Sequence, residues 1–226
     1  MLPITFVCAT RYTESEFFEI SPLGRSLTSY ALLEPKYRIF FENRRGLSAC
    51  YNQAIEEQAD ENELLVFVHD DVYILDFHWF DTLLKGARRF QALGVVGNKS
   101  RWPGQVSWGF IDEKLTWDHP ANLCGAYGGG DGFPFAFSYC GQFLEPLKLL
   151  DGMLLAVRKR TFTRSGVRFD ERFAFHFYDM DICRQFEANH VSMAAIPLSV
   201  IHASRGSFKS EEWRRGYRLY LEKWGD

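Results

Sequence analysis

Leu64–Val68 is a run of five apolar residues that leads directly into His69-Asp70-Asp71. An apolar run of this length, without alternation, reads as a strand buried on both faces, as in a sheet covered by helices. Two adjacent carboxylates then fall at its C-terminal tip, the side on which open α/β sheets hold ligands. They repel each other unless a cation or a hydrogen-bonding ligand shares the site. A divalent ion with a phosphate-bearing substrate meets that need. A solvated turn, where Asp is common, is the plainer alternative.

The rest of the N-terminal half supports such a sheet. Ile4–Ala9 reads as a first buried strand, and residues 14–33 as a helix in two pieces broken near Pro22 and Gly24. Residues 37–42 read as a second, aromatic strand. A helix is expected over 48–59 with Ser48 as its N-cap. Over 77–93, Phe77, Phe80, Leu84, Ala87 and Phe90 recur at helical steps, with Gly94 closing the helix and Val95-Val96-Gly97 forming a brief strand. Strand and helix thus alternate, which predicts an α/β fold with a mostly parallel central sheet flanked by helices.

The pattern breaks at 98–146, a stretch rich in Gly, Pro and aromatic residues. Its glycine cluster, 125–132, lacks the P-loop spacing and reads as a flexible loop more readily than as a phosphate cradle. Regularity returns with a strand over 149–157 interrupted by Asp151-Gly152. A short helix Lys159–Ser165, a helix over 179–189, a strand over 192–201 and a helix over 210–224 follow. No repeat or linker divides the chain, so one domain is expected over 1–226.

Composition narrows the function classes. The chain has 226 residues, 46% hydrophobic and 24% charged, with a net charge of −3. That balance offers no basic excess for nucleic-acid binding. The five cysteines are an odd number without CxxC spacing, against a disulfide framework or a zinc ribbon and in favour of a reducing compartment. No signal peptide and no transmembrane segment is expected, which points to the cytoplasm, at most peripheral to a membrane.

Two further features carry chemistry. Asp179-Met180-Asp181 opens a helix after an aromatic turn, where one carboxylate would serve as a cap. A second, desolvated by Phe175 and Phe177, could act as a general base. His202 ends a strand and precedes a loop carrying Arg205 and Lys209. If its tip shares a sheet edge with His69-Asp70-Asp71, an imidazole and a carboxylate could chelate one divalent ion, with Arg205 and Lys209 near phosphate oxygens.

Four stretches together resemble the GT-A glycosyltransferases, in particular the bacterial glycosyltransferase family 2-like group, over nearly the whole chain. They are LLVFVHDDVY (64–73), RGLSACYNQAI (45–55), the segment 150–186 with DGMLLAVRKRTF, GVRFDERF and FYDMDICRQF, and the C-terminal IHASRGS (201–207) with YLEKW (220–224). The resemblance implies the GT-A (nucleotide-diphospho-sugar transferase) fold, with a nucleotide-binding half, 1–97, and an acceptor-side half, 98–226, that includes the irregular insertion. It implies Asp71 and His202 as ligands of Mn²⁺ or Mg²⁺, and Asp179 as the base. Donor contacts are implied for Thr10, Arg11, Arg45, Asp70, Asp151, Gly152 and Arg205. Asp181 takes an acceptor-side or structural role, and Trp102, Trp108 and 125–132 are placed at the acceptor rim. Two positions depart from the family pattern: Tyr178 stands where the family has Glu, and Val72 where a third acidic or polar residue is frequent.

The implied activity is metal-dependent transfer of a sugar from a nucleotide-sugar donor, UDP- or GDP-linked, to an acceptor hydroxyl with inversion. The acceptor would be a glycan, a lipid-linked molecule or a small molecule. A metal-dependent nucleotidyltransferase and a catalytically silent carbohydrate- or nucleotide-binding relative stay open as alternatives. A metal phosphohydrolase built on His69-Asp70 is disfavoured, because Leu64–Val68 reads as a strand.

Overall fold

The computed structural model describes residues 3–204 and 206–225. In chain order the elements are β1 (Ile4–Ala9), α1 (Glu14–Ile20), α2 (Pro22–Ser29), β2 (Lys36–Phe40), α3 (Leu47–Glu57), β3 (Leu64–Val68), β4 (Val72–Ile74), α4 (Trp79–Arg89), β5 (Ala92–Gly94) and β6 (Val96–Asn98). The second half adds β7 (Leu123–Gly129), β8 (Ala136–Gly141), β9 (Leu149–Leu150), β10 (Leu154–Arg158), α5 (Lys159–Ser165), α6 (Tyr178–Ala188), β11 (Met193–Ala195), β12 (Val200–His202) and α7 (Glu211–Trp224).

Two sheets form. The first has the order β11-β5-β10-β3-β1-β2 and the second β4-β12-β7-β6-β9, with β8 paired to β7. In the first sheet β1 runs parallel to β2 and β3, and β5 parallel to β11. β10 alone runs against both of its neighbours, β3 and β5. All five residues of β3 are buried, as an apolar run without alternation requires when both faces are covered. Its Phe67 packs edge-on against Phe162 and Phe169 and tilted against Tyr51.

Several elements differ from their sequence expectation. The helix expected over 77–93 begins at Trp79 and ends at Arg89. Phe77 is 84% exposed, and Ala92–Gly94 is drawn into β5 by pairing with β10 and β11. Gly94 therefore closes a strand rather than a helix. The second strand is shifted to Lys36–Phe40. Ser48 is not the cap of α3: Gly46 holds that position, and the Ser48 hydroxyl donates to the Phe173 carbonyl at 2.6 Å.

The strands expected over 149–157 and 192–201 each divide between the two sheets. Asp151–Met153 carries the chain from β9 to β10, and Pro197, which has no N–H for a ladder, lies between β11 and β12. The glycine cluster is largely strand, not loop. Gly125 to Gly129 belong to β7, whose Gly128 and Gly129 pair with Ile201 and His202. Residues 98–122 wind around the buried Asp118 carboxylate, which accepts hydrogen bonds from Asn98, Trp102 and Asn122 side chains.

α7 is fixed by a buried ionic cluster. Asp181 is fully buried and accepts from Lys223 Nζ (2.7 Å), Trp224 Nε1 (2.8 Å) and Gln185 Nε2 (2.8 Å). Lys223 also reaches Asp170 at 2.8 Å. The GVRFDERF, YDMD and YLEKW stretches thus interlock through one lysine, and Asp181 is structural. A buried carboxylate left without its cation is strongly unfavourable. Lys223→Met is expected to lower unfolding free energy by about 3–5 kcal/mol in urea titrations, whereas Lys223→Arg should retain most of it.

Candidate active site

β3 ends at Val68, and β10 begins opposite it, with Leu154 paired to Val68. The His69 N–H continues the ladder by donating to the Met153 carbonyl at 3.1 Å. This pairing sets the turn Asp151-Gly152-Met153 beside the His69-Asp70-Asp71 tip. Beyond the tip, β4 pairs with β12, with Val72 opposite His202. The Ala203 N–H donates to the Asp71 carbonyl at 2.9 Å. The tips expected to share an edge therefore do so, in a cavity of about 600 Å³ lined by His69, Asp71, Asp151, Gly152, Asp179 and His202 together with aromatic side chains.

The turn between β3 and β4 sends the two carboxylates in different directions. Asp70 turns to Thr10, whose hydroxyl donates to its carboxylate at 2.6 Å. Asp71 and His69 turn into the cavity. His202 Nε2 lies 3.2 Å from Asp71 Oδ1, and His69 Nδ1 lies 3.9 Å from the same oxygen. One donor atom from each of the three residues falls within 4.8 Å of the others. Asp71 Oδ1 and His202 Nε2 are both buried, and neither has an aligned hydrogen bond. Two imidazoles and a carboxylate, with buried lone-pair atoms left without partners, fit a divalent cation of the first transition row. Burial works to raise the Asp71 pKa, but the His202 ring 3.2 Å away outweighs it and holds the carboxylate below its usual range.

His69 was not singled out as a ligand from the sequence. The usable signal is only that His69 directly follows the buried strand and lies two residues from Asp71; the turn at 70–71 is what brings both side chains into the cavity. Its ring is oriented by Tyr178, the residue standing in place of an acid. His69 Nε2 and the Tyr178 hydroxyl are 2.7 Å apart, and that hydroxyl donates to the Gly152 carbonyl at 2.7 Å. A phenol has one hydrogen to donate. With that hydrogen on Gly152, His69 must donate from Nε2, which leaves the Nδ1 lone pair facing Asp71. The ligand tautomer is thereby set by a neighbour outside the cluster.

Asp179 sits in the first turn of α6 and accepts from the Gly152 N–H at 3.2 Å. Burial, then the charge of Asp151, push its pKa up to about 7. Asp151 is itself anchored by the Met153 N–H, at 2.7 Å. A Cβ on residue 152 would lie 2.4 Å from the Tyr178 hydroxyl, so only glycine fits there. The start of α6 depends on Phe177, whose φ of 66° is unfavourable for a bulky residue. Phe177 is held there by packing on Trp213, Tyr217 and Tyr220 of α7.

Other expected residues lie elsewhere. Thr10, Arg11, Arg45 and Asp70 do not line the cavity. Arg11 is exposed at the end of β1, and the exposed Arg45 donates to Gln53 on α3 at 2.6 Å. Arg205 lies outside the described residues. Trp108 and residues 129–131 line the cavity, but Trp102 is turned to Asp118 and does not. Trp117, Phe175 and Trp213 line it as well. Phe175 stacks on the His69 ring, with centroids 5.8 Å apart.

No family model and no curated protein matches the chain by sequence. Solved structures match it by shape. The structure of GalNAc-T7 with UDP, GalNAc and Mn²⁺ superposes with a TM-score of 0.55 at 13% identity, over 98% of this chain and 48% of that one. The catalytic domain of Drosophila β1,4-galactosyltransferase 7, in complex with xylobiose, gives 0.51 at 10% identity, over 96% of this chain and 80% of that one. The fold is that of the GT-A glycosyltransferases. The chain spans about half the length of the GalNAc-T7 structure.

Tyr178→Phe removes the acceptor for His69 Nε2–H while keeping the ring. Mn²⁺ affinity, measured by electron paramagnetic resonance titration, is expected to fall about 10–100-fold with the circular dichroism spectrum unchanged. Equal affinity in the two proteins would mean that His69 is oriented by other contacts.

Proposed function

We propose that this chain transfers a glycosyl group from a nucleoside diphosphate sugar to an acceptor hydroxyl, with a divalent cation and with inversion. The observation that carries the reading is that His69, Asp71 and His202 converge in the same cavity as Asp179. The UDP and Mn²⁺ bound by GalNAc-T7 support the same donor class and Mn²⁺. In this reading 1–226 acts as one catalytic domain. The half 1–97 supplies His69 and Asp71, and the half 98–226 supplies Asp151, Asp179 and His202. Thr10, Arg11 and Asp70, at the ends of β1 and β3, serve the nucleoside side of the donor.

His69, Asp71 and His202 would hold the cation, which when bound neutralises charge developing on the diphosphate leaving group. Asp179 takes the proton from the acceptor hydroxyl as its oxygen attacks the anomeric carbon. The bond from that carbon to the diphosphate oxygen breaks, and the nucleoside diphosphate leaves with the electron pair. A base of pKa about 7 balances ionisation against proton affinity near neutral pH. The bare backbone at Gly152 lets the sugar approach closely, and Trp117 and Trp213 offer apolar faces to a sugar ring.

The test is ³¹P NMR of reactions containing UDP- or GDP-sugars, Mn²⁺ and a mixture of glycan and lipid-linked acceptors. Nucleoside diphosphate should accumulate, in proportion to transferred sugar. Pyrophosphate release would assign a nucleotidyltransferase instead, and tight donor binding without turnover of any donor would assign a binding protein.

The pH dependence has a defined sign. Asp179 must be ionised, so kcat should rise as pH passes about 7. Asp151→Asn removes a like charge and should move that rise to lower pH. A carboxyl whose pKa is raised by folding stabilises the native state most below its unfolded pKa, and that contribution is lost as pH rises through about 7. Asp179→Asn is therefore expected to abolish transfer while raising Tm at pH 8 relative to the parent.

A further inference from the structure

The opposite end of β10 carries a second polar cavity that glycosyl transfer does not use. It has a volume of about 120 Å³ and is lined by Arg158, Arg160, Arg164, Thr161 and Gln91, with Ala87 and Phe90 at one wall. β10 runs from the turn beside the catalytic cavity at Leu154 to Arg158, which is paired with Leu64 at the start of β3. Four residue steps at about 3.3 Å each separate Leu154 from Arg158, so this cavity lies at the opposite end of the strand from the catalytic cavity.

Its chemistry is one-sided. No carboxylate lines it, and among the described residues no ion pair is made by Arg158, Arg160, Arg164 or the nearby Arg88. Arg158 donates one NH2 to the Ala87 carbonyl at the end of α4 (2.9 Å), but its Nε is buried without a hydrogen-bond partner. Gln91 Oε1 is already occupied, accepting from the Ser192 N–H at 3.0 Å. Arg160 donates one N–H to Asn62 Oδ1 at 3.3 Å, so the groups left to face the space are mostly the remaining guanidinium donors. An unpaired buried guanidinium N–H is costly, and clustered like charges add to the cost. Burial of Arg158, followed by the charges of Arg160 and Arg88, lowers its pKa. A planar fork of N–H donors matches the oxygens of a tetrahedral oxyanion. The volume holds the equivalent of about four waters at roughly 30 Å³ each, which is room for one phosphoryl group.

We propose that this cavity is a binding site for a phosphate-type oxyanion, seated on Arg158, Arg160 and Arg164 and separate from the catalytic cavity. The anion accepts from Arg158 Nε and offsets the charge of the cluster. A free phosphate and a phosphomonoester lipid headgroup present the same oxygens.

The experiment uses the full chain in EDTA, so that no cation can recruit phosphate to the catalytic cavity. Tm is followed against inorganic phosphate, with chloride at equal ionic strength as the reference. A saturable rise with phosphate beyond chloride is expected in the parent. It should be lost in the double variant Arg160→Gln/Arg164→Gln, which leaves the Arg158 contact to Ala87 intact. The double variant should keep its Tm response to UDP with Mn²⁺, which reports separately on the catalytic cavity. No response beyond chloride, or equal responses in parent and variant, overturns the proposal. Co-sedimentation with phosphatidic acid vesicles, compared with phosphatidylcholine, assigns the source: variant-sensitive binding assigns a lipid headgroup, and a phosphate response without vesicle binding assigns a soluble anion.

Discussion

The antiparallel seam between β3 and β10 is the constraint on which the site depends. Parallel strands β1, β2 and β3 bring their C-terminal ends to one edge, as βαβ connections require. A strand entering that sheet in the opposite sense brings its N-terminal end to the same edge. The turn before β10 then lies against the acidic tip after β3, held by the ladder bond from His69 to Met153. Asp151 and Gly152 reach the tip by this reversal, and α6 follows because its first turn is bonded to Gly152 from two sides, through the Tyr178 hydroxyl and the Asp179 carboxylate.

The electrostatics follow from the same geometry. Asp71 faces two imidazoles and stays ionised despite burial, whereas Asp179 faces another carboxylate and is driven towards the neutral form. Two carboxylates in one cavity thus differ in ionisation through their neighbours. Tyr178 serves both sides. It sets the His69 ring towards the cluster and fixes the Gly152 carbonyl, a pairing that an acid in its place would make with different hydrogen-bond polarity.

Aromatic packing supplies the rigidity. Phe177 keeps a left-handed backbone at a cost of order 1–3 kcal/mol, held by three rings of α7. α7 in turn is locked to α6 by Asp181, Lys223 and Trp224. Asp179 is therefore positioned by a helix that is remote from it in sequence, through contacts that a local reading of YDMD cannot contain.

The sequence by itself determined the buried strand Leu64–Val68, the alternation of strand and helix up to β3, and the presence of acids and a histidine at strand ends. Each of these is written in local periodicity and in the chemistry of a few adjacent residues. It also carried the pairing of Asp71 with His202, on the condition that their strand tips share an edge, and the grouping of both with Asp179 through resemblance to a fold. Tertiary structure decided what local pattern leaves degenerate. Pairing partners turned residues 92–94 from helix to strand and the glycine-rich 125–129 from loop to strand, because a backbone ladder outweighs weak intrinsic preference. The split of 149–157 and 192–201 between two sheets, the tautomer of His69 and the pKa of Asp179 were decided there too. All of these depend on groups far apart in the chain, and proximity across such separations is fixed only when the core closes.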